Sequence, residues 1–312
     1  MIRFIIRRMF AAVFTMLAVT IITFLLLGAL GNPAARLAGK NATQAEIHQI
    51  TVQYGFNKPI WVQYYNTMKN IFTGKAYSYQ SGFNIIDQVK HDYPATLSLA
   101  LGAGFIWLAL SVLFGTLAAV YAGRLTDRIL TIVSMAGVSF PPFFLGSIFL
   151  YYFGYKLSWF PLSGYVSLSD PWEWFKHLVL PWITLSILFI GFYSRVLRST
   201  ILDNANEDYV RTAHAKGLTD RQVLQRHTLR NSMIPIISLW GLDMGQLLGG
   251  AAILTETVFG LQGVGQLAAT AIGNLDVITI MVVVILTAIA VVLLSAIVDI
   301  LYALLDPRIR LA

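Results

Sequence analysis

Glu207-Asp208-Tyr209-Val210-Arg211-Thr212-Ala213-His214-Ala215-Lys216-Gly217-Leu218 is a polar island in an otherwise apolar chain, and it runs on through Arg221, Arg226, His227 and Arg230 to Pro235. Four long apolar runs precede it and two follow. Apolar runs near 20 residues are membrane-crossing helices, because lipid offers backbone amides no partners outside their own segment. The island is then a compact basic helix-turn-helix held on one side of a bilayer, a surface suited to a soluble partner. A membrane subunit driven by something else is the reading that follows.

Working outward, the six runs lie at about residues 9–30, 94–122, 129–155, 178–197, 233–255 and 278–305. They predict an all-α, polytopic bundle of six transmembrane helices, with no ten-residue alternation of the kind a barrel needs. Residues 1–30 hold the N-terminus and first span, 31–93 a segment outside the bilayer, and 94–312 the transmembrane core with the island at about 201–231. Of the 312 residues 57% are hydrophobic and 12% charged, against roughly 25% charged in a soluble domain. There is no cysteine, which excludes disulfides, thiolate metal sites and cysteine nucleophiles. The first span follows Arg3, Arg7 and Arg8 as a secretory signal would, but its apolar run exceeds the roughly 7–15 residues of a signal core.

Charge gives orientation. Fourteen of the 22 Lys and Arg residues, from Arg3 through Arg124, Arg128, Arg195, Arg198 and the island to Arg308 and Arg310, fall on one side. The other eight, from Arg36 to Lys176, fall on the opposite side. The positive-inside rule places both termini and the island in the cytoplasm. The net charge of +7 reflects this topology and not a nucleic-acid partner. On the outer side, residues 31–93 form a cap too small for an ordinary domain, and Trp159, Trp172 and Trp174 are interfacial anchors.

No phosphate-binding loop occurs: Gly39-Lys40 is followed by Asn41 and Gly74-Lys75 by Ala76. No nucleophile elbow is present, and His48, His91, His177, His214 and His227 are too scattered for a metal cluster. In the island, acids at Asp203, Glu207 and Asp208 suit a helix N-terminus, Gly217 can take positive φ and end the helix, and Thr219 is a possible cap for a second one. Pro235 opens the fifth span, and small residues at Ala213 and Ala215 admit a partner's surface. The alternative is a solvated loop whose arginines only fix topology.

In the fifth span Gly241, Gly245 and Gly249 recur every four residues and form a helix-packing face. Asp243, Gln246 and Gly250 lie opposite, with Asp243 roughly 15 Å deep. An ionisable group at that depth lines a wet path or pairs with a neighbour such as Arg195. Asp299, near the end of the sixth span, reads as structural. Pro141-Pro142 kinks the third span.

Together Tyr209–Leu218, Arg226-His227, Leu229-Arg230-Asn231 and Ile234-Pro235 resemble the cytoplasmic signature loop of binding-protein-dependent ABC-transporter permeases of the dipeptide/oligopeptide/nickel group. Further matches are Arg7-Arg8, Asn32-Pro33-Ala34, Gly55-Phe56-Asn57-Lys58-Pro59, Val62-Gln63-Tyr64, Pro94-Ala95-Thr96-Leu97, Glu256-Thr257-Val258-Phe259, Gly263-Val264-Gly265 and the closing segment from Asp299 to Arg310. The chain departs from the pattern at Gly31-Asn32-Pro33, at Gly74-Lys75-Ala76 and at Gln262, where a proline is usual. Arg211-Thr212-Ala213 stands for Glu-Ala-Ala, as in the peptide group.

The resemblance implies a type I ABC importer permease fold in a bacterial inner membrane. It implies a second homologous permease, two cytoplasmic ATPases and an extracytoplasmic substrate-binding protein. The cofactors, ATP and Mg, would sit on the ATPases and none on this chain. Tyr209, Arg211, Thr212, Ala213, His214, Ala215, Lys216 and Gly217 would dock in an ATPase groove. Asp243, Gln246 and Gly250 would border the path of a peptide, or of glutathione, a nickel chelate or haem. The competing readings are a proton-coupled secondary transporter using Asp243, disfavoured by the absence of an internal repeat, and a scaffold or channel without coupling.

Overall fold

The computed structural model describes residues 2–29, 33–39 and 42–305. The side chains of Arg3, Arg7, Arg8, Asp299 and the closing segment after residue 305, all used above, lie outside the described residues. Among the described residues the chain is helical, with one isolated bridge between Tyr77 and Asn84.

The first helix, α1, spans Ile2–Ala29. Three short helices follow: α2 (Pro33–Ala38), α3 (Gln44–Gln53) and α4 (Ile60–Phe72). The long α5 runs Ile85–Val120. Next come α6 (Leu125–Ser139) and α7 (Pro142–Phe149), the latter drawn out by a wide turn to Lys156. Helix α8 spans Pro171–Ala205, and the island supplies α9 (Asp208–Ala215) and α10 (Asp220–Val223). The bundle closes with α11 (Leu229–Gln246), α12 (Ile253–Phe259), α13 (Val264–Asn274) and α14 (Val277–Leu305).

Three of these, α5, α8 and α14, are long and apolar enough to cross a membrane unaided. Counting each of two bent pairs as one broken span brings the number to five among the described residues, and α1 carries a shorter apolar stretch at Val13–Ala29, where the first of the six expected spans falls. The two bent pairs depart from straight spans. At Pro141-Pro142 the chain turns by 95° between α6 and α7, a break and not a kink, because Pro141 is extended (φ −60°, ψ 137°). At Gly250 the backbone adopts φ +95°, and α12 leaves at 52°. Pro235 does not open its helix: the chain is continuously helical from Asp220 to Ala251, with Pro235 inside α11.

Apolar burial drives little association in lipid, so close packing and interhelical hydrogen bonds must hold the bundle. Both are present where α5, α8 and α11 meet. Fully buried Trp107 of α5 stacks on Phe189 of α8 at 4.4 Å between ring centres. Trp182 donates to the Ser98 carbonyl at 2.9 Å, Trp240 to the Gly104 carbonyl at 3.0 Å, and Ser186 to the Ala103 carbonyl at 3.1 Å. Ser134 and Ser194 share a bond of 3.0 Å across α6 and α8. The 31–93 segment is tied to the bundle through Ile71 and Ile85, which pack with Phe24 of α1 and Met281 of α14.

Candidate functional site

The island folds as a unit with its own small core. Helix α9 buries Val210 and Ala213 against Val223 of α10, with Tyr209 and Leu218 packed around them. Gly217 turns the chain at φ +83°, a conformation costly for any residue with a Cβ. Thr219 caps α10, and Gln222 reaches back to accept its N–H at 3.0 Å. This corrects one expectation. Ala213 faces the loop's interior and is 4% exposed, so it is not the surface on which a partner closes. Arg211, Thr212, His214, Ala215, Lys216 and Gly217 are all exposed, and Tyr209 is half-buried. The exposed face is mixed in charge: Arg211 lies 3.6 Å from Asp208, and His214 3.7 Å from Asp220.

The island is rooted in two long helices. Asn204, near the end of α8, donates to the Ser232 hydroxyl of α11 at 2.9 Å, and that hydroxyl donates to the Thr228 carbonyl at 2.8 Å. A second fixed point at the same end is Asp127, buried at the start of α6. It receives Arg198 of α8 through both carboxylate oxygens at 2.7 Å each, and the Gly123 amide at 2.8 Å. From the sequence Arg198 reads only as a topology charge. An aspartate in the first turn after an apolar run was the signal available.

Within the span, Asp243 is half-buried, and Tyr193 of α8 donates to it at 2.5 Å. The expected neighbour Arg195 turns instead to the Gly191 carbonyl at 3.2 Å. Gln246 is exposed, and Gly250 is buried. Asp243 and Gln246, three residues apart on α11, remain neighbours, but Gly250 lies beyond α11 in a wide turn with φ +95°, off their register, and a Cβ there would lie 3.2 Å from the Gly265 amide. Gly241 is buried. A Cβ at Gly245 would sit 2.9 Å from the Val291 Cα, and one at Gly249 would sit 2.5 Å from the Thr287 Cα, so backbone meets backbone between α11 and α14.

At the end of the bundle opposite the island lies a set of buried carboxylates that sequence reading did not assemble. Glu256 of α12 is fully buried; Thr96 donates to it at 2.7 Å and the Gln266 amide at 2.9 Å. Asp92 is held by Gln88 at 2.9 Å and by exposed His91 at 2.9 Å. Asp276 accepts from Ser78 and Thr279. Among the described residues no group of three or more His, Cys, Asp or Glu side chains is placed to hold a metal ion.

Comparison with known proteins agrees with this architecture. Residues 111–311 match the family described as binding-protein-dependent transport system inner membrane component, and residues 1–100 match its N-terminal companion. The chain is 37% identical over 98% of its length, and 99% of the relative's, to the probable peptide ABC transporter permease protein y4tP of Sinorhizobium fredii. It is 32% identical to the glutathione transport system permease protein GsiC of Escherichia coli, over 99% of both chains. It is 33% identical to the probable D,D-dipeptide transport system permease protein DdpB of Escherichia coli, over 97% of this chain and 96% of that one. Among solved structures, a chain of the inward-facing MetNI methionine ABC transporter superposes with a TM-score of 0.53 at 14% identity, covering 71% of this chain and 97% of that chain, a likeness of fold alone. The apolar helices, the broken third and fifth spans and these matches lead to one statement: the chain belongs to the family of binding-protein-dependent transport system inner membrane components, as a multi-pass permease subunit of an ABC importer.

Proposed function

We propose that this subunit forms half of the translocation pathway of an ATP-driven importer of di- or oligopeptides, beside a second, homologous permease. The observation that carries the coupling part is the island's separate core, which presents Arg211, His214, Ala215 and Lys216 outward on a short rigid helix. In this reading α9 seats in a groove of one of two ATPases on the cytoplasmic side, where both termini also lie. ATP and Mg bind to those partners, and this chain contributes no catalytic group. A binding protein delivers the ligand at the opposite face.

An ATPase can shift the inward–outward equilibrium only by its differential affinity for the two states. The peptide class rests on the names of the relatives, two of which are called peptide or dipeptide permeases. The test is uptake of a labelled dipeptide into vesicles holding this chain, its partners and its binding protein. Uptake should require ATP and be blocked by vanadate. Uptake driven by a proton gradient without ATP would overturn it.

A further inference from the structure

A helix on the surface of a soluble protein has two faces, one buried and one wet. Helix α4 (Ile60–Phe72) has three. Tyr64, Thr67 and Ile71 turn inward: Thr67 and Ile71 are buried, and the Tyr64 hydroxyl shares a hydrogen bond of 2.9 Å with that of Thr20. Trp61, Tyr65, Met68 and Phe72 follow one another at intervals of four, three and four, which makes one stripe along the helix. Trp61 is 71% exposed, Tyr65 64% and Phe72 71%. Asn66, Lys69 and Asn70, all exposed, form the third face. At about 100° per residue, the aromatic stripe is flanked by the inward face on one side and by Lys69 on the other.

The depth of α4 follows from what it touches. Thr20 stands nine residues before Ala29, the last residue of α1, or about 13 Å along the helix axis. It falls inside the apolar stretch Val13–Ala29. One turn further on, Phe24 meets the Tyr64 ring edge-on at 5.5 Å. Around these contacts α1 exposes Leu17, Ile21, Ile22 and Leu25, the kind of surface a crossing helix gives to acyl chains. A helix packed at that level has lipid tails and headgroups around it and not bulk water.

We propose that α4 is an interfacial helix, seated on phospholipid in the leaflet at the end of the bundle opposite the island. The side chains of the stripe match that depth. Trp61 and Tyr65 have apolar rings for the acyl chains and polar tips for the headgroups, and Phe72 adds a purely apolar ring. Lys69, at the border of the stripe, can lay its aliphatic stem on lipid and carry its charge to a phosphate. Among the described residues it has no acidic partner, so that charge is free for a lipid. Part of the 31–93 segment is in this way a membrane anchor and not a cap in water.

The chain has no cysteine, so single nitroxide labels can be placed with Trp61→Cys, Tyr65→Cys, Phe72→Cys, Asn66→Cys and Asn70→Cys. The assembled transporter, with cysteine-free partners, is held in nanodiscs of phosphatidylethanolamine and phosphatidylglycerol. Power saturation compares collisions with oxygen, which concentrates in lipid, and with nickel(II) ethylenediaminediacetate, which stays in water. The oxygen-to-nickel ratio at 61, 65 and 72 should exceed that at 66 and 70 several-fold. A second measurement needs no label. The difference in tryptophan emission between the unaltered chain and Trp61→Phe, present in ordinary lipid, should largely vanish in nanodiscs of brominated phospholipid.

Nickel-dominated collisions at 61, 65 and 72 would place the stripe in water and overturn the proposal. Low collision with both reagents at those positions would also overturn it, because a protein surface, the second permease or the binding protein, would then cover the stripe. An emission difference equal in ordinary and brominated lipid overturns it too. That result uses a conservative change at an exposed ring, so a labelled variant that fails to assemble does not shield the proposal. Neither readout depends on uptake, and the identity of the cargo does not enter.

Discussion

Thr96 and Glu256, 160 positions apart in the chain, meet in a hydrogen bond of 2.7 Å with both side chains fully buried. The Thr96 oxygen also accepts the Val264 amide at 2.8 Å, so one hydroxyl joins α5, α12 and the start of α13. No room is left around it: a Cβ at Gly263 would lie 2.5 Å from the Glu256 carboxyl carbon.

Thr96→Val keeps the shape and strands two partners, Glu256 Oε1 and the Val264 N–H. Leaving a buried group unpaired costs about 1–3 kcal/mol. The melting temperature of the detergent-solubilised protein should fall, while the helix content at low temperature is unchanged. An unshifted melt would show that water or another donor replaces the hydroxyl.

Gly249→Ala forces a Cβ to 2.5 Å from the Thr287 Cα, where the Thr287 hydroxyl also donates to the Gly249 carbonyl at 2.6 Å. Gly245→Leu presses on Val291 in the same way. Overpacking of this kind costs about 1–3 kcal/mol. Both variants should give less assembled complex and a lower melt, measured by size exclusion and thermal unfolding. Gly273→Ala, at a glycine with open space, is the control that should change nothing.

Ala213→Trp and Ala215→Trp should fail differently. The first drives an indole into the core formed with Val210 and Val223, and should unfold the loop. Limited proteolysis should then cut near residue 213 at once. The second lies on the exposed face and should leave the loop protease-resistant while uncoupling ATP hydrolysis from uptake. Normal coupled uptake with Ala215→Trp would remove that face from the ATPase contact.

Tyr193 and Asp243 should act as one unit. Tyr193→Phe removes the donor, Asp243→Asn removes the charge, and the double variant should be less harmful than the sum by 0.5–3 kcal/mol, roughly the range for groups in contact. Thermal unfolding of the four proteins gives the cycle, and uptake gives a second readout. Additive losses would mean that the two side chains do not depend on each other. A cysteine at position 243 that is inert to hydrophilic thiol reagents in every nucleotide state would remove Asp243 from the path.

Length and hydropathy were enough to place α5, α8 and α14, because lipid imposes both on any crossing helix. Charge asymmetry singled out the island, and Gly217 and Thr219 marked its turn. What composition did not reveal was direction in space. Pro141-Pro142 read as a kink, yet whether a proline pair bends a helix or ends it depends on what receives the chain afterward. Gly250 fitted the helical spacing of its neighbours and still left the helix, since a glycine adopts positive φ as readily as negative. Ala213 looked like a partner's landing place because small residues permit approach from either side. Only Val223, in the next helix, decides that it faces inward. Glu256 and Asp276 stayed hidden because their donors, Thr96 and Ser78, lie far away in the chain, and for Asp243, visible by its depth, it was the partner Tyr193 that stayed hidden.

The Asn204–Ser232 hydrogen bond has a mechanical meaning. It pins the last turn of α8 to the first turns of α11, on either side of a loop that keeps its own shape. If a partner pushes on α9, that link would make the two spans move together. Under such a push the loop would act as a crank with two arms: α11 would take the motion toward Asp243 and the bend at Gly250, and α8 would carry it through Arg198 to α6. A single contact of a few residues would in this way move three crossings together.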